Sequence, residues 1–210
     1  TISACGTADH ALRIDCKSLE LTQVRIPESL VIMIINSNVK HQLVGSEYND
    51  RRESCEKAAS VLGVKLLSDS DLDMLEAHKG DLDEVSYRRA RHVITEDQRV
   101  LDASAALEKG DLKALAALMY ASHCSMRDDF EITIPEIDGL VEIVRKALGD
   151  ECGAVRMTGG GFGGSVVAVV EPQNVEKVRA AVDAEYKKIS GRDATIFETK
   201  AFNGAQFVRL

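Results

Sequence analysis

Hydrophobic positions change their period twice along the chain. Within the first 37 residues, "HALRIDC" and "TQVRIP" alternate apolar and polar side chains imperfectly, as half-buried strands do. "SLVIMIINSN" is a near-continuous β-branched run, the pattern of a strand buried on both faces. From Ser46 the spacing turns helical. Tyr48, Cys55, Ala59 and Leu62 fall on one face, Ser46 stands where an N-cap would, and Gly63 stands where a helix would stop. "DSDLDMLEAHKGD" reads as a short helix ending near Gly80.

A longer helix is expected from about Asp83 to Lys109, with Val93, Val100 and Leu107 as its stripe and Ile94, Leu101 and Ala105 beside it. Gly110 closes it, and Asp111 can cap a following helix that carries Leu112, Leu115, Leu118 and Met119. "EKGD" is the tight turn between them. In "RDDFEITIPEIDGLVEIVRKALGD", Thr133 and Glu136 have capping-box spacing, and Pro135 suits a first helical turn. Ile137, Leu140, Val141, Val144 and Leu148 then form a stripe that ends at Gly149.

After it, "AVRMT" and "SVVAVV" read as two strands, followed by a helix from about Asn174 to Ile189 and a last strand, "ATIFETKAF". Strands, a block of helices, then β-β-α-β imply an α+β fold. The helices should pack on one face of a mixed or antiparallel sheet.

Composition narrows the function. At 210 residues the chain can form one sizeable domain or two small ones, and its 45% apolar and 29% charged residues are an ordinary globular mixture. No apolar run reaches the roughly 18 residues of a membrane span, and no charged-then-apolar leader opens the chain. The net charge of −8 argues against a nucleic-acid partner. A nucleotide remains open, because backbone N–H groups alone can make a phosphate pocket. Cys5, Cys16, Cys55, Cys124 and Cys152 are scattered and odd in number, which fits small buried thiols in a reducing cytoplasm. The histidines have no metal-ligand spacing, so no metal site is read from the protein's own ligands.

"VRMTGGGFGGSVVAVV" places five glycines among six residues. Gly159, Gly161 and Gly164 satisfy G-x-G-x-x-G, but a dinucleotide loop must open a helix and here a strand follows. No Lys-Ser or Lys-Thr follows as a P-loop requires. A hairpin turn needs only one or two glycines. Five imply close approach by another backbone, or a run of N–H groups turned toward an anion or substrate. Spacing leaves both readings open.

This stretch resembles the third, C-terminal glycine motif of the GHMP small-molecule kinases. "INSNVKHQLVGSEYNDRRESCE", "SHCSMRDDFEITIPEIDGLVEIV" and the opening "HALRIDC" resemble the galactokinase family within it. The likeness spans nearly the whole chain, apart from a variable middle around residues 64–80. The tail "KAFNGAQFVRL" keeps the Gly-Ala but not the usual ending, and carries no assigned role.

The resemblance implies a GHMP-kinase C-terminal domain over residues 31–210. The strands of residues 1–30 would join the sheet of an N-terminal domain absent from this chain. That half carries the family's "RVNLIGEHTDY"-like sugar motif, its "GLSSSAS"-like phosphate loop and, in an "MDQ"-like segment, its catalytic aspartate. This chain begins with Thr1 just after the match to that segment. It is therefore expected to be a C-terminal piece, inactive alone, with no catalytic residue of its own. ATP, Mg²⁺ and galactose would be bound by the complete enzyme. Edges left open by the absent half should favour self-association.

Tyr48 is the expected substrate-binding residue. The family has a sugar-contacting tyrosine in the matching "SEYN-x-RR" stretch, and the apolar-face spacing predicts a ring turned inward with its hydroxyl satisfied in the protein or cleft. Gly159, Gly160 and Gly161 are expected to line the site beside sugar and γ-phosphate, with Gly163 and Gly164 as packing positions. Arg51, Arg52, Arg127, Asp128 and Asp129 are read mainly as structural: Arg51 and Arg52 can pair with Glu47 and Glu56 at i,i+4, and the aspartates suit a turn or cap. The alternatives are a free-standing sugar- or nucleotide-binding module, or another GHMP kinase acting on mevalonate or homoserine.

Overall fold

A computed structural model describes residues 1–40 and 45–205 and, of Gly45 and Ser46, the backbone alone. In chain order the elements are α1 (Ile2–Cys5), β1 (His10–Ile14), β2 (Leu21–Arg25), β3 (Val31–Asn36), α2 (Gly45–Leu62), α3 (Leu72–Ala77), α4 (Glu84–Lys109), α5 (Leu112–Asp128), α6 (Pro135–Leu148), β4 (Gly153–Thr158), β5 (Ser165–Val170), α7 (Val175–Ser190) and β6 (Thr195–Thr199). The fold is α+β, as the order of patterns implies.

Among the described residues β1 and β2 pair only with each other, whereas β4-β5-β3-β6 form one sheet, antiparallel throughout. Alternation assigns its faces. Met33 and Ile35 on β3, Val155 and Met157 on β4, and Val166, Ala168 and Val170 on β5 all join one core with α6 and α7. The opposite face is used as well. Ala154 and Val169 pack there against Ala106 of α4 and Leu115 of α5. The helices therefore divide between both faces instead of stacking on one, because β4 and β5 carry apolar residues at successive positions.

α6 is the main contributor to the first core. Ile137, Leu140, Val141 and Val144 are wholly buried, each worth about 1.5–3 kcal/mol relative to exposure. Its start differs from expectation. Ile134 is the N-cap, with no side-chain cap bond, so Thr133 and Glu136 form no capping box; Pro135 alone marks the first turn. Asp83 and Asp111 do cap, accepting the N–H groups of Ser86 and Ala114. Gly63 and Gly110 end α2 and α4 at φ +68° and +67°.

The stripe expected for α4 holds only in part. Tyr87, Ala90 and Ile94 pack against α2 and α3, and Ala106 packs against α5. Val100 and Leu101 between them are exposed. The helix outlasts one group of partners before it meets the next, so its middle turns outward. The cysteines also differ: Cys16 is exposed and the other four are only partly buried.

The two ends of the chain meet. Gly204 and Ala205 donate N–H bonds to Gly6 O and Ser3 O, and Ala8 N–H donates to Asn203 Oδ1. A Cβ on Gly204 would stand 2.9 Å from backbone atoms of Ser3 and Ala4. The Gly-Ala of the tail thus secures α1.

Candidate functional site

The glycine loop joins β4 to β5, and five of its six central residues take positive φ: Gly159, Gly161, Phe162, Gly163 and Gly164. Its glycines serve two purposes. Gly159 and Gly160 are exposed, with open space where a Cβ would stand. Gly161 is buried, and its Cβ would stand 2.7 Å from Ile132 Cβ and nearer still to Ile132 O. Gly161, expected to line the site, is therefore a packing position like Gly163, which is buried, and Gly164, which is partly so.

Two anchors fix this loop. Phe162 N–H donates to Ile132 O at 2.7 Å. At the other end, Ser37 donates to Gly164 O through both its N–H (2.9 Å) and its hydroxyl (2.7 Å), and Gly164 N–H reaches Val39 O. Tyr186 on α7 donates to Ser37 O at 2.8 Å. Ser37 is wholly buried, and its position one residue beyond β3 ties that strand's exit to the loop.

Tyr48 lies in the first turns of α2, but its ring is not turned inward: it is 74% exposed. The buried face of α2 runs through Arg51, Ala58, Ala59 and Leu62, and Tyr48 precedes it by almost a full turn. The expected Ser46 N-cap lies outside the described side chains, and residues 41–44 lie outside the described residues.

Arg51 connects α2 to the glycine loop. Only 7% exposed, it forms the expected pair with Glu47 at 2.8 Å. It also donates to Glu47 O, to Phe130 O at 2.9 Å, and to Glu131 O. Its guanidinium carbon sits 4.9 Å from the centre of the Phe162 ring. One side chain thereby links the helix of Tyr48, the segment before α6, and the glycine loop.

That segment, residues 128–132, is held from α4 too. Arg88 bonds Asp128 O and the Glu131 carboxylate, and Arg89 pairs with the same carboxylate at 3.7 Å. Arg91 holds the carboxylate of Asp129, which also accepts from Ser125 Oγ at 3.0 Å. Ser125 has one hydroxyl proton, and giving it to Asp129 requires the 2.9 Å contact with His92 to use an Nδ1–H donor. The His92 ring stacks on Phe130 at 4.5 Å, and burial lowers its pKa to about 4. Arg127 and Asp128 bond each other bidentately, and the guanidinium holds the Asp128 carboxyl below its usual range. Arg52 pairs with Glu56 at 2.7 Å. All five charged residues of this group have structural partners.

Three of the five described non-glycine residues at positive φ lie in the loop, Phe162, or in the segments that anchor it, Asn38 and Glu131. Such backbone costs about 1–3 kcal/mol per residue and persists where the surroundings over-determine it. Among the described residues, no three His, Cys, Asp or Glu side chains converge as a metal donor set.

Residues 103–188 match the family model "GHMP kinases C terminal". The fold that carries these residues matches that of a GHMP kinase C-terminal domain. The match covers α5, α6, β4, the glycine loop, β5 and most of α7; the sheet of this domain is completed by β3 and β6 from outside it. A galactokinase of Lactococcus lactis, solved in complex with galactose, is similar over 95% of this chain and 53% of its own, at 30% identity and a TM-score of 0.87. An L. major mevalonate kinase shares the fold at 14% identity over 94% of this chain and 50% of its own, with a TM-score of 0.60. A homoserine kinase from Cytophaga hutchinsonii does so at 15% identity over 90% and 48%, with a TM-score of 0.52. The chain spans about half the length of these structures.

Ser37, Phe130, Ile132 and Phe162 were not legible as parts of the site. Ser37 and Phe162 lie inside conspicuous stretches, but their roles run through backbone carbonyls of residues distant in sequence. Arg51 was visible only as half of an i,i+4 pair.

Proposed function

We propose that this chain supplies the C-terminal half of an ATP-dependent galactokinase, transferring the γ-phosphoryl group to the C1 hydroxyl of galactose. The observation that carries the reading is the junction of α2 with the glycine loop, Arg51 against Phe162, within a fold similar along almost its whole length to a galactose-bound galactokinase. Tyr48, at the outer end of that junction, presents an exposed phenol suited to hydrogen-bonding an uncharged sugar.

Gly159 and Gly160 present bare backbone where a phosphoryl group and the sugar must approach one another. Positive φ at Gly159 and Gly161, with Gly160 between them outside that region, favours N–H groups converging as an anion nest. Phosphoryl transfer depends chiefly on positioning and charge stabilisation. This chain's share is the orientation of the sugar and one wall of the phosphate path. The metal, the base and the main phosphate loop are assigned to an N-terminal half, as the family resemblance implies. β1 and β2, paired only with each other among the described residues, support the assignment of residues 1–30 to that half's sheet.

The test compares the 210-residue chain alone with the chain joined to an N-terminal half. Galactose-dependent ADP release from the joined protein only, with no release on mevalonate or homoserine, is expected. Release from the isolated chain at a normal kinase rate overturns the division of labour. Preference for another acceptor overturns the substrate. A galactose-dependent rise in Tm of the isolated chain, without turnover when joined, makes it a binding module instead.

A further inference from the structure

We propose that Arg51 is a positioning residue of this site: it sets the distance between Tyr48 and the glycine loop by clamping both to the Phe130–Ile132 segment. This rests on the galactokinase reading for its chemistry, but not for its geometry. Four N–H bonds leave the guanidinium, two to Glu47 in the first turn of α2 and one each to the carbonyls of Phe130 and Glu131. Its face covers the Phe162 ring at 4.9 Å.

Each bond fixes something that would otherwise have freedom. Glu131 and Phe162 both sit at positive φ, 56° and 57°, where a side-chain-bearing residue needs external support. Arg51 supports one through its carbonyl and the other through its ring. The residue between these points, Ile132, accepts the Phe162 N–H and fills the space a Cβ on Gly161 would need. Moving Arg51 therefore moves Ile132, and with it Gly161 and its exposed neighbours Gly159 and Gly160.

A solvent-exposed i,i+4 pair would need none of this. Arg52 shows the contrast: one residue away, it is exposed and its ion pair is with Glu56 on the same helix. Lysine cannot replace Arg51, because an ammonium has no planar fork to reach two successive carbonyls while stacking on a ring.

The experiment uses Arg51→Lys and Arg51→Gln, with Ala58→Gly as a destabilising control on the buried face of the same helix. Two readouts are taken: kcat and KM for galactose in the joined protein, and hydrogen exchange at the Phe162 amide without substrate. Both Arg51 variants are expected to lose kcat by roughly 10- to 100-fold, the scale of an ångström-level misplacement, with a smaller change in KM. Phe162 protection should fall at least about tenfold in both. Ala58→Gly, at a matched fall in Tm, should leave kcat and Phe162 protection near wild type. Losses that track Tm alike in all three variants would make Arg51 a stability residue only and overturn the proposal. Should the wild-type joined protein not phosphorylate galactose, the galactokinase reading fails. The exchange arm then decides alone: loss confined to the Arg51 variants sustains the clamp, and unchanged protection overturns it.

Discussion

Gly161 and Ile132 stand so close that a Cβ on the glycine would lie 2.7 Å from that of the isoleucine, with the Ile132 carbonyl nearer still. Gly161 also sits at φ +91°. Gly161→Ala therefore combines backbone strain with overpacking, each destabilising by about 1 kcal/mol or more. For a chain of this size a loss of about 2 kcal/mol lowers Tm by roughly 4–8 °C. Thermal unfolding monitored by far-UV circular dichroism reads it; an unchanged Tm would mean that the loop can retreat from Ile132 at no cost.

Gly160 should behave oppositely. Nothing lies within 4 Å of its would-be Cβ and its φ is not positive, so Gly160→Val should change stability by no more than about 0.5 kcal/mol. Its side chain would nevertheless stand on the face offered to sugar and phosphate. Turnover by the joined enzyme should fall while Tm holds. Unchanged kcat and KM would remove this face from the site.

Tyr48→Phe isolates the phenol. With the ring 74% exposed, loss of the hydroxyl should leave Tm within error. If the hydroxyl bonds galactose, losing one neutral hydrogen bond worth about 0.5–1.5 kcal/mol should raise KM for galactose roughly 3- to 10-fold. An unaltered KM in steady-state assays would exclude Tyr48 from the sugar pocket.

Burial keeps His92 neutral, with its pKa lowered to about 4 against the opposing pull of Glu96 and Asp129 and with the help of Arg99 and Arg156. Unfolded histidine titrates near 6.5, so between these values the unfolded chain binds more protons. The contribution is fully present above about pH 6.5 and is lost as pH falls towards about 4, up to on the order of 3 kcal/mol in all. His92→Asn keeps an N–H donor toward Ser125 and has no proton to gain. Urea unfolding of both proteins at several pH values should show wild type losing stability relative to the variant across that window. A flat difference would mean that the folded ring is already protonated.

The elements were legible because periodicity reports burial locally. The stripe of α6 faces one core, and the apolar run of β5 meets a core on each face of the sheet, so pattern and packing agree. The pattern failed where one helix serves two partners, as at Val100 and Leu101 of α4, or where the first turn projects beyond its support, as at Tyr48. It also could not assign the glycines individually. Gly160 and Gly161 are identical in sequence context, and only the arrival of Ile132, 29 positions before Gly161 in the chain, makes one a surface and the other a contact. Arg51 was legible only as the partner of Glu47 for the same reason: its other acceptors are backbone carbonyls, which carry no sequence signature.

The β1–β2 hairpin gives the last prediction. A two-stranded sheet is marginal by itself, and β1 and β2 pair with no other strand among the described residues. It is held by side contacts: Gln23 donates to Cys5 O, Asp9 N–H to Ala201 O, and Lys17 pairs with Asp69. Its outer edges meet no further strand among the described residues, with Leu19 and Leu21 exposed on the hairpin and Ile2 and Phe202 exposed where the chain ends meet. Open edges with apolar neighbours recruit further strands. The isolated chain should therefore sediment as dimers or larger species at rising concentration, and an N-terminal half that extends this sheet should return it to a single two-part particle. Sedimentation velocity over a hundredfold concentration range distinguishes the cases. A monomer throughout would show that the hairpin edges are already protected, and the strands of residues 1–30 would then belong to this domain rather than to a partner's sheet.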